Sequence, residues 1–301
     1  MVKKLVLLVV GIMMAALFAG CGNDAPKEQA SKKIQVVTSF NAMAEFTKAI
    51  GGDKVEASTI IPDGVEPHDF ELKPENMKQL ATAQVFVYNG FGMEPWAKQA
   101  IEAAKNDKLV TVVATEGVEA IKNTDPEEIK EHGAEDPHAW LSLKDAKIEV
   151  KNIKDALVKA DPANKDYYEK NYTEYVGKLD AMIKKYEEQF AKAPHKNFVT
   201  GHAAFAYLSR DFGLEQNSVE DVFAEGEPNA AQLAKLIEYV KENNIKTIFA
   251  EEMASPEVSK TLAKEVGAKV ETIYTIESKE DDKTYLQRMD ENLAKILESL
   301  K

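Results

Sequence analysis

"VTSFNAMAEFTKAIG" at residues 37–51 and "VTGHAAFAYLSRDFG" at residues 199–213 decide the fold. They align without a gap: Val, Thr, two alanines and the closing glycine match in place, and Lys48 stands opposite Arg210. Each stretch leaves a β-branched run and continues into a helical pattern that stops at glycine, the signature of a strand, a turn and a helix. Two copies of one unit imply two related halves. In the second copy His202 takes the place of Phe40, at the end of a strand and the beginning of a helix. Open α/β sheets bind their ligands there.

Outward from these units, strands and helices alternate. Strands are expected at 34–38, 55–61, 84–90 and 108–114, with helices in "NAMAEFTKAI", "PENMKQLATA" and "EPWAKQAIEAAK". Beyond residue 194, "NFVT", "IKTIFAEE" and "AKVETIYTI" read as strands. "AAFAYLSRDFG", "AAQLAKLIEYVKEN", "PEVSKTLAKEVG" and "KTYLQRMDENLAKILESL" read as helices. Such alternation predicts an α/β protein whose lobes have central parallel sheets flanked by helices. Residues 143–192 break the rhythm. They are charged and helical, interrupted at Asp161-Pro162, and then carry Tyr168, Tyr172, Tyr175, Leu179, Met182, Tyr186 and Phe190 at spacings of three and four. One apolar stripe on one helix follows; about 30 residues would span roughly 45 Å. A coiled-coil arm fits the stripe too, but α/β patterns resume beyond it, which favours a helix packed along the body. The expected organisation is an N-terminal lobe at 34–160, a linking helix at 161–193 and a C-terminal lobe at 194–301.

The first twenty residues have Lys3 and Lys4, an apolar run from Leu5 to Phe18, and Ala19-Gly20 before Cys21. That is the pattern of a secretory signal, and the run is short for a membrane span. Cysteine after Ala-Gly resembles a bacterial lipobox, with Phe18 where leucine is usual, and implies that Cys21 is lipidated. Residues 21–33 then form a polar tether. Cys21 is the only cysteine, so the folded part has no disulfide and no thiolate ligand. The formal charge is −13, and loss of Lys3 and Lys4 with the signal makes it −15. This argues against a nucleic-acid partner and against a polybasic membrane surface.

Three of the five histidines share a context. His68 in "DGVEPHDFELKP", His138 in "EDPHAWLS" and His202 in "VTGHAAF" each follow a turn or strand end. Seventy and sixty-four residues separate them, which suits ligands delivered one per loop to a cleft between lobes. Neutral imidazole is a good zinc ligand, and a helix N-terminus would keep His202 unprotonated. Without thiols the fourth ligand should be an oxygen, and Glu277 in "YTIESKEDD" is the candidate. Polar loop residues without a ligand account for the same pattern. His132, in the acidic loop, and His195 read as solvated. Trp140 and Phe70 read as core that also walls the site.

The motifs "VEPHDFELKP", "DPHAWLS", "VTGHAAFAYLSRDFGL" and "TYLQRMDENLAKI", in that order, resemble the zinc/manganese solute-binding lipoproteins of ABC importers, the ZnuA-like and TroA-like cluster. The likeness covers nearly all of the mature chain. It implies two α/β lobes on a backbone helix and a metal buried between them. It carries His68, His138 and His202 over as ligands and places an acidic fourth ligand near Glu277. It further implies an extracytoplasmic, lipid-anchored monomer that hands its ion to an ABC-type permease. Manganese-preferring members have glutamate where His202 stands, so zinc (Zn2+) is favoured and manganese (Mn2+) is the alternative; imidazole suits the first and oxygen the second. Many zinc members carry a histidine-rich loop where residues 123–136 are acidic here. In some, glutamate directly precedes the first ligand, where this chain has Pro67.

A zinc hydrolase is the rival reading, since three histidines and a water would make a nucleophilic hydroxide. No H-E-x-x-H, G-x-S-x-G or P-loop supports it, and Glu277 as fourth ligand would leave no open position. A pocket for an organic solute would need polar and aromatic contacts instead of converging imidazoles. Members of the family have also been called adhesins, but nothing in the chain establishes that role.

Overall fold

A computed structural model describes residues 33–68, 70–123, 129–130, 133–224, 229–251 and 256–301. The signal segment, Cys21, the tether up to residue 32 and His132 lie outside the described residues. Residues 33–301 form one unit built on two four-stranded sheets.

The first sheet contains β1 (Ile34–Thr38), β2 (Val55–Thr59), β3 (Val85–Tyr88) and β4 (Val110–Val113) in the order β2-β1-β3-β4, all parallel. The second contains β5 (Asn197–Thr200), β6 (Glu215–Ser218), β7 (Thr247–Glu251) and β8 (Lys269–Ile273) in the order β6-β5-β7-β8, again all parallel. The two orders are the same, so the aligned stretches at 37–51 and 199–213 occupy equivalent places. In both sheets the order reverses beside the first strand, which opens a crevice at the carboxyl ends of the strands.

Helix α1 (Asn41–Gly51) buries Ala42, Met43, Phe46 and Ile50 and ends at Gly52, whose φ is 50°. Only glycine fits there: a Cβ at residue 52 would lie 2.3 Å from the Tyr167 hydroxyl. Helices α2 (Pro74–Leu80) and α3 (Ala97–Ala104) complete the first set of crossovers. Helix α4 (Leu143–Ala160) starts at Ser142, whose side chain accepts the Asp145 N–H. Pro162–Asn164 makes a single tight turn, and α5 (Lys165–Lys192) follows. Its 28 residues span about 42 Å. Tyr168, Tyr175, Leu179, Tyr186 and Phe190 are buried, with Tyr172 and Met182 packed against the same core. The stripe therefore lies on the body. Helix α5 packs on α1 and α4 from the first half, and on α6 (Ala206–Phe212) and α9 (Tyr285–Ser299) from the second. Helices α7 (Ala230–Glu242) and α8 (Pro256–Val266) flank the second sheet.

Two expectations change. Strand β6, "EQNS", is absent from the sequence reading because its four polar residues neither alternate nor form an apolar run; it is an edge strand specified by pairing with β5. The helix expected from Ala203 begins only at Ala206. Residues 201–205 form turns instead, and these set the position of His202.

The core does not stop at the boundary between halves. One contiguous apolar cluster joins Val36, Phe86 and Trp140 to Phe198, Phe205, Phe249 and Ile273. Helix α9 returns to pack on α1 and carries Arg288, whose side chain is fully buried. Its guanidinium reaches the Asp281 carboxylate at 2.9 Å and donates to the Asp281 carbonyl at 2.8 Å. This pins the loop between β8 and α9. Asp281→Ala leaves that buried cation without its counter-charge and is expected to cost about 3 kcal/mol; urea unfolding that shows a loss below 1 kcal/mol would contradict the role given to the pair.

Candidate metal centre

Each of the four residues singled out for metal lies beyond the carboxyl end of a different strand. His68 follows β2, His138 lies in the connection after β4, His202 follows β5 and Glu277 follows β8. The folded chain brings all four together. His138 Nε2 is 3.3 Å from His68 Nε2 and 3.4 Å from His202 Nε2. Glu277 Oε1 is 3.3 Å from His138 Nε2 and 3.8 Å from Nε2 of both His68 and His202. All four donor atoms lie within 4.8 Å of one another. A four-coordinate zinc about 2.0–2.1 Å from each donor would separate the donors by roughly 3.3–3.4 Å. The spacing thus fits one small ion. The four side chains are at most 3% exposed.

Neighbouring groups fix each ring. The Asp136 carboxylate lies 2.9 Å from His138 Nδ1 and also accepts the His138 N–H. With the Nδ1 proton held there, the Nε2 lone pair points into the cluster. Burial works against protonating His138, but Asp136 and Glu277 outweigh it and raise the imidazole to about 9. His202 goes the other way, down to about 3, because burial and then the two neighbouring imidazoles disfavour charge, with only Glu277 opposing. The expected helix-dipole cause is replaced by burial, since α6 starts four residues later. Burial pushes Glu277 up, yet the surrounding imidazoles hold it well below the usual carboxylate range. Before a metal binds, Glu277 is thus charged, His202 is neutral, and His138 shares a proton with its two carboxylate neighbours that a metal must displace to reach Nε2.

Several supporting residues escape sequence reading. Gln216, on the missed strand β6, accepts the Phe205 N–H at 2.9 Å and donates to the His202 carbonyl at 3.0 Å, clamping the turn. Glu251, at the end of β7, accepts the His202 N–H at 3.2 Å. Burial raises its carboxyl to about 8. Its Oε2 sits 1.9 Å from where a Cβ on residue 201 would be, so Gly201 permits this approach. Thr275 donates to Glu277 Oε2 at 3.0 Å, and the Trp140 indole donates to the Thr275 carbonyl at 2.7 Å. The signal for Asp136 was the Asp-Pro-His run itself; nothing local marked Gln216 or Glu251.

Of the two aromatic residues expected near the site, Trp140 is fully buried with its ring 5.0 Å from that of His138. Phe70 instead packs on Trp96 at 5.8 Å. The second wall is Phe223, 5.4 Å from the His68 ring. His195 is exposed, as its sequence setting suggested.

Comparison with known proteins follows the same lines. The profile of the family described as "Zinc-uptake complex component A periplasmic" (ZnuA) matches residues 36–299. The chain is 42% identical over 299 residues to the high-affinity zinc uptake system protein ZnuA of Bacillus subtilis, covering 94% of each protein. It is 37% identical over 303 residues to the zinc-binding lipoprotein AdcA of Streptococcus pneumoniae, covering 97% of this chain and 60% of that one. Among solved structures, the laminin-binding protein of Streptococcus agalactiae, titled a bifunctional protein with adhesin and metal transporting activity, superposes with a TM-score of 0.81 at 33% identity, over 89% of this chain and all of that one. Two parallel-sheet lobes on a long helix, with a profile match across nearly the whole described chain, place this protein in the ZnuA family of solute-binding proteins.

Proposed function

We propose that this protein captures zinc outside the cytoplasm and delivers it to an ABC-type importer in the membrane. The observation that carries the reading is the meeting of three imidazole nitrogens and one carboxylate oxygen at a single buried point. Three nitrogens and one oxygen in a tetrahedral arrangement suit zinc, whereas manganese prefers more oxygen and a larger shell. His68, His138, His202 and Glu277 are the proposed ligands. Asp136 directs the His138 lone pair, Thr275 holds the Glu277 carboxylate, and Gln216 and Glu251 hold the His202 turn.

The reading makes the chain a carrier, not a catalyst. With four protein ligands, zinc has no open position at which to activate water. The family relationship, together with the names of the B. subtilis and S. pneumoniae relatives, supports the delivery step. The proposed lobes are residues 34–160 and 194–301 on the helix 161–193, acting as a monomer. Residues 1–20 are read as signal and Cys21 as a lipidated residue that anchors the chain by the tether 21–33.

Metal analysis of the purified protein after dialysis against mixed zinc and manganese tests the site. One zinc per chain is expected. Alanine at His68, His138, His202 or Glu277 should cost more than the roughly 10–100-fold typical of an outer-shell change, while His195→Ala should bind as the parent does. Retention of manganese over zinc, or normal zinc affinity in two of the four variants, would overturn the assignment. For the anchor, Cys21→Ser should abolish incorporation of labelled palmitate and release the protein from membranes; unchanged labelling would refute it.

A further inference from the structure

Helix α6 follows the His202 turn, and α4 follows the loop that carries His138. The two are tied together at several points near these histidines. The Tyr207 hydroxyl donates to the Asp136 carbonyl at 2.6 Å and accepts the Ile121 N–H at 3.1 Å. Arg210 pairs through Nη2 with the Asp145 carboxylate of α4 and lies 3.2 Å from the carboxylate of its own neighbour Asp211. Its other terminal nitrogen donates to the Glu119 carbonyl at 3.2 Å. Asp211 in turn accepts the hydroxyl of Ser142, the residue that caps α4.

Arg210 is the cation in this arrangement that faces both carboxylates. Asp145 comes from one half and Asp211 from the other, and their side chains are only 8% and 3% exposed. The Lys144 ammonium reaches the Asp211 backbone carbonyl, while the Lys144 backbone N–H donates to the carboxylate at 3.4 Å. Without the guanidinium, two shielded negative charges would repel across the seam between halves. The repulsion would act on α6 and the first turn of α4, where Arg210 and Asp211 stand eight and nine residues after His202 and Asp145 seven after His138.

We infer that Arg210 is a positioning residue for metal binding: by neutralising Asp145 and Asp211 across the seam, it sets the separation of His138 and His202. The inference rests on the zinc reading of the site. Helix α5 also joins the halves, packing on both α4 and α6, whereas this lock ties together the elements that follow the two ligand loops. Metal affinity should therefore depend on a charge that never touches the metal.

The test uses zinc and cobalt(II) as probes on purified protein. Zinc release to an excess of chelator is timed for the parent, Arg210→Ala and Arg210→Lys. The visible spectrum of the cobalt-loaded forms, whose intensity reports coordination geometry, is recorded in parallel. Arg210→Ala should release zinc about tenfold faster, the lower end of outer-shell effects, with an altered cobalt band. Arg210→Lys keeps the charge and should lie between it and the parent. A lower melting temperature of the metal-free variants with unchanged release rate and spectrum would overturn the inference, since a merely structural role predicts that outcome. If Arg210→Ala fails to fold, Arg210→Gln, which removes the charge but keeps a polar side chain, decides alone: parental release and spectrum would overturn the inference, and faster release with a shifted band would support it. A parent that holds no zinc would remove both this inference and the reading of the site; a parent that holds it, beside variants that hold it as long, would remove only the role of Arg210.

Discussion

A carboxylate and three imidazoles kept out of water lose their hydration and compete for the protons they share. Among the described residues, Glu277 Oε1 is buried without a well-formed hydrogen bond and faces the three imidazole Nε2 atoms at 3.3–3.8 Å. Burying such groups is expensive unless something compensates. A divalent cation among the four donor atoms would satisfy the lone pairs and neutralise the carboxylate together. The remaining architecture can be understood as the means of holding that arrangement until an ion arrives: four loops from four strand ends, each braced by a neighbour.

The bracing is unevenly distributed. His138 has a charged partner behind it, and His202 is held by its backbone through Gln216 and Glu251. Glu277 is steadied by Thr275 and, more remotely, by the pairing of buried Arg288 on α9 with Asp281 of the same loop. Among the described residues, His68 outside the cluster meets the ring of Phe223, and its backbone N–H donates to the Glu66 carboxylate. The apolar core runs unbroken between the halves. A wide hinge would have to tear that core open, so the fold favours local loop movements over large lobe rotations.

Much of this was legible before folding. The repeated strand–turn–helix unit correctly marked equivalent strands, and the topology of the two sheets shows why: the halves have the same strand order. Matched loop settings singled out the three histidines, and the lack of thiols pointed to a carboxylate. What remained hidden was set by tertiary contact. The "EQNS" strand carries no periodic signal because pairing at a sheet edge specifies it. The helix after His202 starts late because Gln216 and the Glu251 carboxylate occupy the backbone groups of the turn. Phe70 and Phe223 are both aromatic residues in loops, and only the packing distinguishes the one on Trp96 from the one on His68.

X-ray absorption at the zinc edge of the loaded protein addresses the convergence of these ligands most directly. The expected spectrum has four nitrogen or oxygen neighbours at about 2.0–2.1 Å, with outer-shell scattering from three imidazole rings that drops to two in His68→Ala. A six-neighbour, oxygen-dominated shell, or one with fewer than two imidazoles, would contradict a site built from His68, His138, His202 and Glu277.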